Sequence, residues 1–359
     1  MMVEKMKEVG DMPHPPIGIV SIGLYLPERR MTSKELSEKS GIPREILEEK
    51  MGIVEKRIPG PSDHTAQMAV WAARTAIERA GVDARDIDLI IYFGEEHKEY
   101  PLWTAGIWVQ HKIGAVNAYA FDIQQRCGTG VLALKMAKEM MLADDALHTV
   151  LLAGGYRNVD FIDYANPRTR FMYNLGAGGG AILLKKGCEA NQVLAGRIIT
   201  DGSFSEDVAV PVGGTKVPLT PELLQQGKYT LDVMDPDGMK ARLEEKSMRN
   251  FLRVIREAVE RSGYRTEEID YLAILHMKRS AHQYVLKELG LSTEQSIYLE
   301  RYGHIGQIDQ ILSLELALQE GRVKEGDLVV FVSAGIGYAW DAIAIRWGSP
   351  EGSSPIAAV

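Results

Sequence analysis

Cysteine is nearly absent: the 359 residues hold two, Cys127 and Cys188. Two thiols make no disulfide framework and cannot by themselves hold a metal cluster, so each is read singly. No run of about 18 apolar residues occurs, which predicts no transmembrane helix. The opening segment MMVEKMKEVGDMPHPP is charged and lacks the apolar stretch of a signal peptide, so the expected location is the cytoplasm. Nor is there an excess of positive charge. Lys plus Arg total 41 against 49 Asp plus Glu, a formal balance of −8, which argues against a general nucleic-acid binder. No phosphate loop of the G-x-x-x-x-G-K type and no metal-ligand spacing is present, so neither a metal nor a bound cofactor is expected.

What is there is the alternation of an α/β protein. IGIVSIGLYLP, DLIIYFG, AYAFDI and HTVLLAGG read as strands, and HTAQMAVWAARTAIERAG and VLALKMAKEMMLADD as helices between them. The second part repeats this grammar with MRNFLRVIREAVERSG, YLAILH, SAHQYVLKELG, ILSLELALQEG, GDLVVFVSAG and YAWDAIAIRW. The length suits two domains or two fused halves, with mostly parallel or mixed sheets covered by helices. The boundaries read as a flexible arm over 1–16, halves over 17–187 and 188–347, and a Gly-, Ser- and Pro-rich tail over 348–359. Residues 194–237 are less regular and are expected to form an insertion or lid.

Chemistry centres on Cys127. It follows the strand AYAFDI and precedes a helix, so its thiolate would sit at the positive end of the helix dipole with backbone N–H groups near enough to hold an oxyanion. The alternative is a buried structural cysteine. Cys188, at a turn after LLKKG, has nothing around it to activate it. His276 ends the buried strand YLAILH, at the strand edge where open α/β sheets place ligands. His304 lies in the loop YGHIGQID before a helix. The other six histidines read as surface or packing residues. Glu95 and Glu96 follow the strand DLIIYFG; solvated loop charges are the simpler reading. The segments LGAGGGA and SAGIG are Gly-rich, but neither opens a helix as a dinucleotide fingerprint does, so they read as close backbone approaches around a site.

These blocks, in this order from Ile17 to Trp347, resemble the beta-ketoacyl-[acyl-carrier-protein] synthase III group, related to hydroxymethylglutaryl-CoA synthase within the thiolase superfamily. IGIVSIGLYLPERRMTSKEL is similar to the first strand and loop, FDIQQRCGTGVLAL to the nucleophile block, YLAILHMKRS to the histidine block, and RYGHIGQIDQ through RW to the C-terminal block. The resemblance implies a thiolase fold, with two similar βαβαβ halves in five α-β-α-β-α layers, paired as a homodimer. It implies that Cys127 is acylated by an acyl-CoA, and that a malonyl-type thioester, on CoA or an acyl carrier protein, decarboxylates and attacks the acyl group. It places His276 and His304 on the enolate oxygen, and backbone of Cys127 and Ile336 in an oxyanion site. Gly335, Gly337 and Arg126 fall beside the substrate.

Departures from the pattern are visible. His304 replaces the usual asparagine, Arg126 a small residue, and Ile336 a glycine. Ile46 and Lys50 stand where a tryptophan and an arginine contact CoA in many relatives. Glu96 precedes Gly114 by a spacing similar to that of the general acid/base glutamate of hydroxymethylglutaryl-CoA synthases. The expected function is decarboxylative condensation to a 3-oxoacyl thioester in fatty acid or polyketide biosynthesis. The alternatives are a non-decarboxylating acyltransferase, a Glu96-dependent condensation, or a non-catalytic scaffold.

Overall fold

The computed structural model describes residues 14–349. Most of the expected N-terminal arm and tail therefore lies outside the described residues. Five strands form the first part of one sheet: β1 (Ile17–Tyr25), β2 (Leu89–Tyr92), β3 (Tyr119–Asp122), β4 (Thr149–Tyr156) and β5 (Gly178–Lys186). Four form the second: β6 (Gln192–Thr200), β7 (Tyr271–Ile274), β8 (Leu328–Gly335) and β9 (Ala339–Arg346). The combined order is β7-β8-β9-β6-β1-β5-β4-β2-β3.

The repetition that the letters hide is plain in the pairing. In the first part β2 runs parallel to β4, and β4, β5 and β1 are antiparallel in turn. In the second, β7 runs parallel to β8, and β8, β9 and β6 are antiparallel in turn. The two parts meet where Gly18 of β1 pairs with Gln192 of β6.

Six helices cover these strands: α1 (Thr65–Ala80), α2 (Ala105–Ile113), α3 (Thr129–Ala143), α4 (Pro236–Arg261), α5 (Arg279–Glu288) and α6 (Asp309–Gln319). Helices α3 and α6 touch strands of both parts and lie between them, whereas α1 packs on β1, β4 and β5 and α4 on β6 and β9. Three apolar cores result. The central one takes in Val131, Leu134, Leu312 and Leu314 of the inner helices, and the outer two lie under α1–α2 and under α4–α5. Glycine permits the tightest of these contacts: a Cβ on Gly23 would lie 2.0 Å from the carbonyl oxygen of Ala72 in α1.

Residues 194–200, expected to begin an irregular insertion, instead continue strand β6. Pairing with β9 over Ala339–Arg346 holds them in the sheet. The irregular part begins after it. There a small ribbon pairs Val208–Ala209 with Asp232–Val233, and Leu231 N–H donates to Phe161 O, so the segment folds back over the loop that follows β4.

Candidate active site

The starts of the two inner helices converge. Before α3, a short turn (Arg126–Gly128) carries Cys127; before α6, a similar turn (Gly306–Ile308) follows His304, and the two turns touch. Gly130 makes this approach feasible, since a Cβ there would lie 2.6 Å from Gln307 O. The positive ends of both helix dipoles thus face one spot, an arrangement that favours negative charge on a sulfur or a carboxylate.

His304 Nε2 lies 3.1 Å from Cys127 Sγ, and its Nδ1 lies 2.5 Å from Asp309 Oδ2. Asp309 is fully buried and also accepts the backbone N–H groups of Ile305 and His276, each at 2.7 Å. Burial by itself would strip a proton from His304. The Asp309 carboxylate and a thiolate on Cys127 outweigh that and lift its pKa well above the ordinary value. With Nδ1–H donated to Asp309, neutral His304 turns the lone pair of Nε2 to the sulfur, as a base for a thiol must. Asp309 was not among the residues singled out in the sequence. The only signal was an acid at the first position of a helix five residues past His304.

The turn that carries Cys127 is held from several sides. Ser333 Oγ donates to Cys127 O at 2.6 Å from strand β8, and Gln125 N–H donates to Thr129 Oγ1 at 2.8 Å. A Cβ on Gly335 would sit 2.6 Å from Gln125 O and 3.2 Å from Cys127 N, so the SAGIG segment is a close backbone approach to the Cys127 turn. Ile336 lines the cavity beside it, and Gly337 follows with φ 123°. Arg126 has φ 54°, a left-handed conformation unfavourable to a side chain. Its guanidinium bonds the carboxylates of Glu95 and Glu96, which helps to hold it there.

Burial separates those two glutamates. The side chain of Glu95 is 3% exposed and that of Glu96 66%. The carboxylate that enters the protein interior is therefore Glu95, and burial raises its pKa against the opposing pull of Arg126. Glu96 stays at the rim because the chain turns outward there, one residue past the buried position.

His276 is buried, yet both its ring nitrogens are engaged away from the sulfur. Nε2 lies 2.9 Å from Gly52 O and Nδ1 2.9 Å from Asn174 Nδ2. These partners fix the tautomer: Nε2–H donates to the carbonyl, and Nδ1 accepts from the amide. Burial pushes the pKa of His276 down to about 4, so the ring is neutral. In this conformation the two histidines do not aim at one point, because Gly52 O holds the N–H of His276. Cys188 lies apart, its thiol near Ala190 O.

A cavity of about 960 Å³ opens on these groups. Cys127, His276, His304, Asn174, Glu95 and Arg126 line its polar end, and Phe161, Val210, Leu231, Met248 and Phe251 its apolar side, several of them from the segment after β6. No helix among the described residues is long and apolar enough to cross a membrane.

Comparison with known proteins places the chain in a family. The family model described as 3-oxoacyl-[acyl-carrier-protein (ACP)] synthase III matches residues 121–202, and that of its C-terminal part matches residues 259–347. The beta-ketoacyl-[acyl-carrier-protein] synthase III of Symbiobacterium thermophilum is 30% identical over 338 residues, covering 93% of this chain and 98% of its own. That of Solibacter usitatus is 30% identical over 343 residues, covering 93% and 99%. The crystal structure of 3-oxoacyl-[acyl-carrier-protein] synthase III from Aquifex aeolicus aligns with a TM-score of 0.79 at 24% identity, covering 92% of this chain and all of that one, and so shares its fold. With Cys127 and both His276 and His304 inside the matched segments, the chain belongs to the beta-ketoacyl-[acyl-carrier-protein] synthase III family, thiolase-fold acyltransferases that condense thioesters with loss of carbon dioxide.

Proposed function

We propose that the chain makes a 3-oxoacyl thioester in two half-reactions by way of an acyl group held on Cys127, with His304 and Asp309 serving both. The observation that carries this reading is the contact of His304 Nε2 with Cys127 Sγ at 3.1 Å, backed by Asp309. In the first half-reaction His304 takes the thiol proton as the sulfur attacks the carbonyl of an acyl-CoA. The backbone beside Cys127 and Ile336 receives the oxyanion, and CoA leaves as its thiol with the proton returned by the imidazolium.

In the second, a malonyl-type thioester enters, on an acyl carrier protein as the relatives' names suggest. Its C–C bond to the carboxylate breaks, carbon dioxide leaves, and the electron pair becomes an enolate. The enolate carbon then attacks the acyl carbonyl, a C–C bond forms, and Cys127 departs as thiolate. Acylation removes the sulfur's need for a base; His304 then takes up a proton from solvent at Nε2, stabilised by Asp309, and donates this Nε2–H to the enolate oxygen. Asn174 and His276 line the same cavity; His276 contributes its own N–H once it releases Gly52 O. Decarboxylation generates the carbanion without a base, so Glu95 is given the task of holding Arg126 beside the nucleophile, and Glu96 none.

The proposed halves are 17–187, carrying the nucleophile, and 188–347, carrying the histidines. A homodimer is supported by the free edge of the sheet at β3, where Tyr119 is half exposed and Leu102, Ile107 and Val116 are exposed nearby. The cytoplasm, acyl-CoA and carrier-bound substrates, and fatty acid or polyketide synthesis complete the reading. Intact-mass measurement after incubation with a panel of acyl-CoAs tests it. The acyl mass should appear on Cys127, vanish in Cys127→Ala and persist in Cys188→Ala. A malonyl thioester should then release carbon dioxide as the acyl mass is lost. Loss of the acyl group to an acceptor without carbon dioxide would overturn the condensation.

A further inference from the structure

We propose that Lys56 is a positioning residue, which fixes the backbone around Asn174 and through it sets both histidines of the active site. The inference rests on the assignment of those histidines above.

Lys56 is the middle residue of the short strand Glu55–Arg57 and is fully buried. Its ammonium group has three N–H donors and three neutral acceptors: Tyr164 Oη at 2.8 Å, Tyr173 O at 2.7 Å and Leu175 O at 2.8 Å. No carboxylate is among them. A buried cation without a counter-ion is costly, and saturating every donor is what makes it tolerable. Burial accordingly pulls the pKa of Lys56 down to about 7.

The two carbonyls that Lys56 draws toward itself flank Asn174. With both turned one way, the carbonyl of Asn174 faces the other way and accepts the backbone N–H of His304 at 2.8 Å. The next link runs in return, from Gly176 N–H to His304 O at 2.8 Å, and Leu175 pairs with His304 as an isolated parallel bridge. The side chain of the same Asn174 donates to His276 Nδ1 at 2.9 Å. One residue therefore anchors the main chain of one histidine and the ring of the other.

The strand of Lys56 reaches both sides of this junction. Arg57 N–H donates to Tyr302 O, and Ala177 N–H donates to Arg57 O, both at 3.0 Å. Gly303, at φ 77°, brings the chain before His304 against the lysine stem, where an added Cβ would lie 2.7 Å from Lys56 Cβ and 2.5 Å from Asn174 O. The same segment supplies Gly52 O to His276 Nε2. Residues 52–57 thus hold the ring of His276 from both nitrogens, directly through Gly52 and indirectly through Lys56 and Asn174.

The test compares Lys56→Met, Asn174→Ala and the double variant. Lys56→Met keeps the length and apolar stem and removes all three donors. The condensation rate should fall by about a hundredfold, the scale of a misplacement of about an ångström. The KM for acyl-CoA should stay near its starting value. In the substrate-free protein, ¹⁵N signals of the His276 ring should pass from a fixed Nε2–H tautomer to a mixture. The double variant should be no slower than the slower single variant, because both changes break one path. Unchanged ring signals, or losses that multiply in the double variant, would overturn the proposal. Should Lys56→Met fail to fold, Lys56→Arg decides alone: its flat guanidinium cannot reproduce the three directions, so ring signals and kcat should shift together. A reduced kcat with wild-type ring signals would then sink it. Because the ring signals are read without substrate, they test the positioning even if carbon dioxide release shows the reaction itself to be different.

Discussion

The carboxylate of Asp309 lies 2.5 Å from His304 Nδ1 and keeps the proton on the nitrogen that faces away from Cys127. An asparagine at this position would reverse that. With its one oxygen on the N–H of Ile305, which Oδ1 of Asp309 now accepts at 2.7 Å, its NH₂ would take the place of Oδ2. Its NH₂ would then face His304 Nδ1 and force the proton onto Nε2. Such a ring donates well but takes no proton from a thiol. Asp309→Asn should therefore slow acylation of Cys127 by on the order of a hundredfold to a thousandfold, while condensation from pre-acylated enzyme falls far less. Single-turnover measurement of the two half-reactions separates them; equal losses in both would show that Asp309 supports the fold rather than the tautomer.

Glu95 and Glu96 are neighbours with opposite environments, and their glutamine variants should differ accordingly. Glu96→Gln removes a charge that is two-thirds exposed and should leave acylation, condensation and stability within about twofold, as surface pairs usually do. Glu95→Gln takes the buried partner from Arg126, whose guanidinium helps to hold a left-handed backbone one residue before the nucleophile. A charge-assisted hydrogen bond of this kind contributes about 1–2 kcal/mol, discounted here because Arg126 is itself partly exposed. Acylation should slow about tenfold, the rate equivalent of about 1.4 kcal/mol, with melting temperature lowered by a few degrees. If Glu96→Gln is the damaging change, the rim carboxylate takes part in the reaction and the assignment is reversed.

Much of this architecture was legible in the chain before any coordinates. Strand and helix periods, the strand–Cys127–helix context and the two Gly-rich segments each follow from local sequence, because a strand, a helix start and a tight approach leave local signatures. The burial of Glu95 rather than Glu96 was not legible, since a loop past a strand end has no period to say which side chain turns inward. Asp309, Asn174 and Lys56 were missed for a related reason. Each acts through partners more than 30 residues away or through backbone atoms, as in the bonds of Asp309 to His276 N, of Asn174 to His276, and of Lys56 to Tyr173 O and Leu175 O. The continuation of β6 through Thr200 was hidden too: its pairing partner β9 lies more than a hundred residues downstream.

Gly335 offers a test of how tightly the nucleophile turn is gripped. Its missing side chain leaves room for Gln125 O, which a Cβ would approach to 2.6 Å, and for Arg126 Cβ at 3.1 Å. Backbone cannot yield as a side-chain tip does, so Gly335→Ala must push the Gln125–Cys127 turn away from β8. Overpacking of this kind costs about 1–3 kcal/mol. Displacing Cys127 from His304 should lower acylation by about a hundredfold. Gly337→Ala probes the next glycine, whose added Cβ would meet no atom within 4 Å but would sit at φ 123°, where the strain is conformational. Thermal melting and acylation rates of the two variants distinguish the two causes: the first should lose more rate than the second for equal loss of stability.

Acid should weaken the fold through two buried histidines. Burial pushes both His276 and His282 down to about 4; His276 and Arg279 add to the shift at His282, whereas Asp309 and Gly52 O partly oppose it at His276. A histidine whose folded value is depressed stabilises the protein fully above its unfolded value, near 6.5, and loses that contribution as pH falls toward 4. Each group therefore accounts for about 3 kcal/mol across this window. His304 has the opposite sign, since its value is raised: its contribution is intact throughout the acid range and is lost only as pH rises through its folded value. His282 is the group to remove, because it does not touch Cys127 or His304 and its Nδ1 has no hydrogen-bond partner among the described residues. Urea unfolding of His282→Leu at pH 4 to 7 should show a flatter acid limb than the wild type by about 3 kcal/mol, while Glu95 and the other carboxylates titrate alike in both proteins and cancel. Parallel curves would mean that His282 takes up its proton alike in the folded and unfolded protein and that burial does not depress it.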